Sequence, residues 1–380
     1  MTAAKKGERA GGLLLCSSPL MATDWKRKIW LSAGFAIFTG ITLRFALFLQ
    51  NPPSIYSHKP GKCKNIVGLE HGVLSMTESD VLNLVLVFSA QHKNIRAHVI
   101  LLETKEKTNK LMNNISLHEL NVNKWKNSER FNPISAHIHV EGSTSQNKYR
   151  AFVYVLSQEG DQTPVQVFEL RLQKGVLTHL QTIHNQEFIG STDISVLSPG
   201  RFILAKPHFF NNRYLQLLEL LFYRGYGQLL IFNGKTVSTL ERGLQGPTKM
   251  LWDPKTSRLY VGIKYSREIQ AYTLKKDLTL KPLTSINLMS SPTYITNGEN
   301  ELWVGSSPGG HMFHDQSNTS HILRIRFQDD IAQTWVITES FASTQFKWSN
   351  INGLVVTNSG ILIASPQTAA FCTVADMALV

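Results

Sequence analysis

At 380 residues the chain has room for one large domain or two medium ones, and a composition of 42% apolar and 17% charged residues buries a core, which excludes intrinsic disorder. The formal charge of +12 would suit a nucleic acid or an anionic membrane surface. Apart from Lys5, Lys6, Arg9 and the run Lys26-Arg27-Lys28, however, the basic residues are spread along the chain, so no nucleic-acid partner is expected.

The first element is IWLSAGFAIFTGITLRFALFL, Ile29 to Leu49, whose roughly 21 residues at about 1.5 Å of rise each would cover about 30 Å of hydrocarbon. It reads as a single transmembrane helix over residues 29–49. Its one charge, Arg44, sits near the far end, where a long side chain reaches the headgroups. On the other flank Lys26-Arg27-Lys28 favours the cytoplasm, which orients the chain as a signal anchor. Residues 1–28 are then a cytoplasmic tail, 50–60 a linker and 61–380 a luminal or extracellular domain, held at the endoplasmic reticulum or the cell membrane. A cleaved signal peptide fits less well, because its apolar core runs about 7 to 15 residues and Gln50-Asn51-Pro52-Pro53 is a poor small-residue cleavage site.

Of the three cysteines, Cys16 falls in the tail, while Cys63 and Cys372 bracket the remaining chain in what would be an oxidising compartment. A bridge between them would fasten the first strand of the domain to the last; two unpaired buried thiols are the alternative. Asn114-Ile115-Ser116 and Asn318-Thr319-Ser320 are sequons that such a compartment would glycosylate, each a weak signal alone.

The domain opens with GKCKNIVGLEHGVLS, 61–75, in which IVGLEHGVL reads as a strand. Helical periodicity then all but disappears. Short β-rich runs follow one another: VLNLVLVFSA, HVILLE, HIHVEG, YRAFVYVLSQEG, VQVFELRL, GRFILAKP, GQLLIFNG, SRLYVGIKY, EIQAYTL, ELWVGSSPGG, HILRIRF, TWVITES and GLVVTNSGILIASP. Turn residues between them fit a sandwich, a barrel or a propeller. WDPKTSRLYVGIKYS, TNGENELWVGSSP and VTNSGILIASP repeat one theme at about 45 residues, the length of a propeller blade. The exception is NNRYLQLLELLFYRGY, Asn211 to Tyr226, which predicts an amphipathic helix inserted between blades or laid on a membrane face.

Metal and catalytic motifs are sparse. His137 and His139 lie two apart on one strand face, and His311 and His314 flank an Asp-containing loop. With no evident third ligand for zinc, both pairs read as polar residues on a solvent face. No G-x-S-x-G elbow, H-E-x-x-H, C-x-x-C or phosphate loop is read in the chain.

GPTKMLWDPKTSRLYVGIKYSREIQAYTLKKDLTLKPL, NELWVGSSPGG, SHILRIRF and NSGILIASPQTAAFC together resemble the C-terminal half of the serum paraoxonases and arylesterases. FNPISAH, STDISVLSPGRFILAKPHFFNNRYLQLLELL and GKCKNIVGLEHG resemble earlier segments of that family in the same order, so the likeness covers about Pro60 to Cys372. It implies an all-β, six-bladed propeller preceded by the single anchor helix and closed by a Cys63–Cys372 disulfide, with two calcium ions in the central tunnel beneath a histidine pair.

Carried over residue by residue, the resemblance also implies a lost site. Where the family has an adjacent Glu and Asp as calcium ligands, this chain has Leu74 and Ser75; an Asn-Asp pair becomes Thr192-Asp193; a ligand Asn near Gly246-Pro247-Thr248 is missing; and another Asp-Asn pair becomes Ser291-Pro292. Ile134 stands where one histidine is expected, and none is found around Leu156-Ser157. Asp193 alone is a residual metal-site position. No catalytic residue, metal or cofactor is therefore expected, since calcium needs about six or more oxygens. In layout the chain resembles most the nematode membrane-anchored paraoxonase-like proteins. That group implies an accessory subunit or assembly chaperone of a degenerin-type, amiloride-sensitive sodium channel in touch mechanosensation, with channel subunits and the lipid bilayer as partners. A calcium-dependent arylesterase or lactonase with a relocated site is the alternative reading, and a receptor-like module with a soluble ligand in the tunnel a third.

Overall fold

A run such as LVLVFSAQ, Leu84–Gln91, is apolar at consecutive positions, so the strand it forms has no face to spare for water and must be covered on both sides. The computed structural model shows how. Such strands lie in the middle of antiparallel sheets whose two faces are each covered by a neighbouring sheet. The structure describes residues 19–48, 55–91, 94–101, 117–123, 131–143, 148–221, 225–298, 301–308, 319–329, 332–357 and 359–374. Contacts divide the chain into two units, 1–50 and 51–380.

The first unit contributes helix α1, Pro19–Phe48, which begins before the expected start at residue 29. Side chains are described for its residues 25–43, and all their large apolar members but the half-buried Ile41 are exposed, Trp30 at 78% and Phe35 at 72%. Among the described residues no helix is long and apolar enough to cross a membrane.

The second unit is a six-bladed β-propeller. Blade 1 holds β2 (Val73–Ser79), β3 (Leu84–Gln91), β4 (Asn94–Leu101) and β5 (Leu117–Glu119). Blade 2 holds β7 (Pro133–Ser143), β8 (Lys148–Ser157), β9 (Val165–Arg171) and β10 (Val176–Ile183), with β6 (Asn121–Asn123) added parallel to β10. Blade 3 is β11 (Asp193–Ser198), β12 (Arg201–Lys206), β13 (Gly227–Phe232) and β14 (Val237–Leu244); blade 4 is β15 (Pro247–Asp253), β16 (Arg258–Ile263), β17 (Glu268–Leu274) and β18 (Leu280–Asn287). Blade 5 is β19 (Ser291–Gly298), β20 (Glu301–Ser307), β21 (Ser320–Phe327) and β22 (Trp335–Ser343). Blade 6 takes β23 (Gly353–Thr357), β24 (Gly360–Ala364) and β25 (Ala369–Thr373) from the end of the chain and β1 (Cys63–Asn65) from its beginning.

The first strands of the blades, β2, β7, β11, β15, β19 and β23, adjoin in that order, and β23 returns to β2, so they ring a central tunnel. Between each pair of neighbouring blades lies one apolar cluster. On β3, for example, Leu84, Leu86 and Phe88 pack toward blade 2 and Val85 and Val87 toward blade 6. The ring closes where β1 pairs antiparallel with β25, placing Cys63 opposite Cys372, and the two form a disulfide across a sequence separation of 309. Just before the seam, His58 exchanges backbone hydrogen bonds with Ala342 at 2.9 and 3.1 Å, laying this part of the chain on the end of β22.

Two expectations are corrected. IVGLEHGVL is not one strand: the chain turns between β1 and β2, with Gly68 at φ +94° and Gly72 at φ +87°, and a Cβ on Gly72 would meet the Pro366 carbonyl oxygen at 1.9 Å. The amphipathic helix α2, Arg213–Leu221, lies inside blade 3 in the β12–β13 connection, not between blades, because those two strands pair directly from Phe202–Phe232 to Lys206–Gln228. Asn114, Asn318, His311, His314 and Cys16 fall outside the described residues.

Candidate functional site

The starts of β7, β11 and β15 converge on Asp193, which is 5% exposed. Its Oδ1 accepts a hydrogen bond from Ser135 Oγ at 2.6 Å and lies 3.2 Å from Lys249 Nζ, while Oδ2 accepts from the Met250 backbone N–H at 2.6 Å. The carboxylate thus has donors at both oxygens and a cation beside it. Sequence reading picked out Asp193 but missed Lys249 and Ser135, the groups that satisfy it. The available signal was Thr248-Lys249-Met250, a charge at the start of a strand bounded by buried Pro247 and Met250.

The rest of the tunnel is built from neutral or neutralised groups. Thr192 Oγ1 donates to the Thr248 carbonyl at 3.2 Å, and Thr248 Oγ1 donates to Pro292 O at 3.3 Å. Ser291 donates to Lys264 O at 2.8 Å. From β19, Tyr294 Oη donates to Met76 O on β2 at 3.0 Å, and Thr296 bonds the Glu78 carboxyl. Asn352 Nδ2 reaches the Val73 and Leu74 carbonyls ahead of Ser75, itself 3% exposed. Burial pushes the Glu78 carboxyl up to about 8, outweighing the Thr296 hydrogen bond that lowers it. Burial, with the Glu78 and Asp193 charges, likewise holds the Tyr294 hydroxyl far above the usual tyrosine range.

His137 corrects the solvent-face expectation. Burial drives its imidazole down to about 4, helped by His139, so it is enclosed and neutral near pH 7. Glu78 and His137 keep some accessible area, as groups lining a narrow internal channel do. Among the described residues no three His, Cys, Asp or Glu side chains come together as a metal site.

The residues do not fit the calcium pair that the resemblance implies. Calcium takes about six to eight oxygens, several of them charged. Here Leu74 and Pro292 offer no side-chain oxygen, and the Asp193 carboxylate is already held by three donors.

A serine motif was also passed over. Gly305-Ser306-Ser307-Pro308-Gly309 has G-x-S-x-G spacing, and Ser306 pairs in register with His321, whose Nδ1 sits 2.6 Å from Glu339 Oε2. The nucleophile elbow needs a strand-to-helix turn that exposes its serine. Ser306 and Ser307 instead end β20, with Ser306 at 0% exposure accepting from Ser290 Oγ at 3.1 Å and Ser307 at 5%, and neither is open to a substrate.

The family profile described as Arylesterase matches residues 56–374, almost the whole second unit. The chain belongs to the arylesterase family. Among relatives, this arylesterase family member is 26% identical over 344 residues to mechanosensory abnormality protein 6 of Caenorhabditis elegans, covering 85% of this chain and 89% of that one. It is 20% identical over 250 residues to human serum paraoxonase/arylesterase 2, covering 64% and 66% respectively. A solved luciferin-regenerating enzyme shares the fold at a TM-score of 0.50 and 11% identity, over 82% of this chain and 95% of that one.

Proposed function

We propose that this arylesterase family member works without hydrolysis, as a membrane-tethered accessory subunit or assembly chaperone for a channel in the same bilayer, with degenerin-type mechanosensory channels as the partner class. The observation that carries this reading is the Asp193 carboxylate, saturated by Ser135, Met250 and Lys249. A hydrolase of this family would need a Lewis acid there to stabilise the oxyanion, and Leu74 and Pro292 supply no side-chain oxygen for one. Likeness to a mechanosensory protein over 89% of its length supports the partner class.

The tether is residues 29–49, with the N-terminus cytoplasmic and the propeller luminal or extracellular. Support comes from the exposed apolar residues of α1, among them Trp30, Phe35, Ile37 and Phe38, and from a disulfide, which persists in an oxidising compartment. Confinement to the membrane raises the effective concentration of the propeller near its partner. The test is co-expression with a degenerin-type channel, reading current and surface abundance for the full chain and for residues 51–380 secreted without α1. The full chain should raise both and the untethered form should not. Calcium-dependent turnover of aryl esters or lactones by purified full-length protein would replace this reading with the enzyme one.

A further inference from the structure

A carboxylate buried without a counter-charge is strongly destabilising, so Asp193, at 5% exposure, calls for a partner. The partner comes from the chain itself. Lys249 Nζ lies 3.2 Å from Asp193 Oδ1, with side-chain exposures of 18% and 7%. Ser135 approaches the same carboxylate from β7, and Met250 N–H from β15, so one anion gathers three consecutive inner strands. Neutral bonds continue the ring: Thr248 to Pro292 O joins β15 to β19, Tyr294 to Met76 O joins β19 to β2, and Asn352 to Leu74 O ties the start of β23 to β2.

A dication in a propeller tunnel performs this task by drawing oxygens of several blades onto one charge. In this chain N–H, O–H and ammonium donors perform it. We propose that the Lys249 ammonium is the resident cation of the tunnel, taking the place that the family resemblance gives to calcium and making the cohesion of the inner ring independent of metal. The charges balance: Asp193 and Lys249 cancel, and the enclosed Glu78 and His137 are mostly neutral near pH 7. A divalent ion would meet one carboxylate already matched to an ammonium. The inference holds whichever partner the propeller serves.

The test is thermal unfolding of the full-length protein in detergent, with millimolar calcium chloride and with excess EGTA. The wild-type midpoint should be the same in both. Lys249→Met should lower it by about 6 °C or more in either buffer, as expected for a buried ion pair broken on one side. The double variant Asp193→Asn with Lys249→Met should recover at least half of that loss, again without metal; if Lys249→Met alone fails to fold, recovery of folding in the double variant is the deciding result. A wild-type midpoint that drops in EGTA would overturn the proposal. So would a Lys249→Met protein that unfolds with the wild type, or a double variant no better than the single one.

Discussion

The seam of the propeller and its axis solve the same problem in different ways. At the seam, β1 and β25 come from opposite ends of the chain and a covalent bond between Cys63 and Cys372 holds them. At the axis the joined strands come from six blades, no covalent link is possible between them all, and cohesion comes from one ion pair and a series of hydrogen bonds. A covalent closure acts mainly on the unfolded chain, by forbidding its expanded states. The axial network acts on the folded state, and fails wherever one partner is removed and the other is left buried.

The strongest way to break the comparison is at the seam. Cys63→Ser should cost on the order of 5 kcal/mol in the chain-entropy picture, given so long a loop. Denaturant unfolding should show a lowered midpoint, and limited proteolysis should cut first between β1 and β2 or beyond β25. Unchanged stability would mean that strand pairing alone closes the ring.

At the axis, Asp193→Ala removes one side of the buried pair and should cost about 3 to 5 kcal/mol, leaving Lys249 and the Met250 N–H without their acceptor. The same measurement ranks it just below the cysteine variant.

Smaller effects are readable against pH. Because the folded-state Glu78 titrates at about 8 and an unfolded glutamate near 4.5, the folded protein binds the extra proton between those values. Stability therefore falls as pH rises through that window. Glu78→Gln should flatten the fall and exceed wild type in stability at pH 8. His137 has the opposite sign: it stays neutral down to about 4 while the unfolded imidazole protonates near 6.5, so its contribution is lost as pH falls between those values. His137→Gln should restore stability at pH 4.5 and change nothing above pH 7. Urea midpoints measured across pH 4 to 9 separate the two.

Much of the propeller was legible because of its middle strands. LVLVF on β3, FVYVL on β8 and RLYVGI on β16 are covered on both faces by neighbouring blades, which makes them uninterrupted apolar runs. Apart from β25, the strands that escaped notice sit at the two edges of a blade. Outer strands such as β14, VSTLERGL, meet solvent and carry its polarity, while inner strands such as β19, SPTYITNG, line the tunnel with Ser, Thr and Tyr. Of the site, Asp193 was legible in the chain. The lysine that satisfies it was not, because Lys249 is 56 residues from Asp193 and a lysine in a strand ordinarily points to water.

The added strand β6 has a consequence at the rim. An outermost strand exposes a row of unpaired N–H and C=O groups on which another chain can add. In blade 2 that row is taken by β6, which pairs with Val176–Thr178 of β10, and on β22 His58 occupies the position at Ala342. Elsewhere the rim is guarded by composition: β14 presents Glu241 and Arg242, and β18 carries Lys281 and Pro282, the latter with no N–H to offer. Two copies crowded side by side would find these edges already matched, charged or interrupted, so self-association by strand addition is discouraged there.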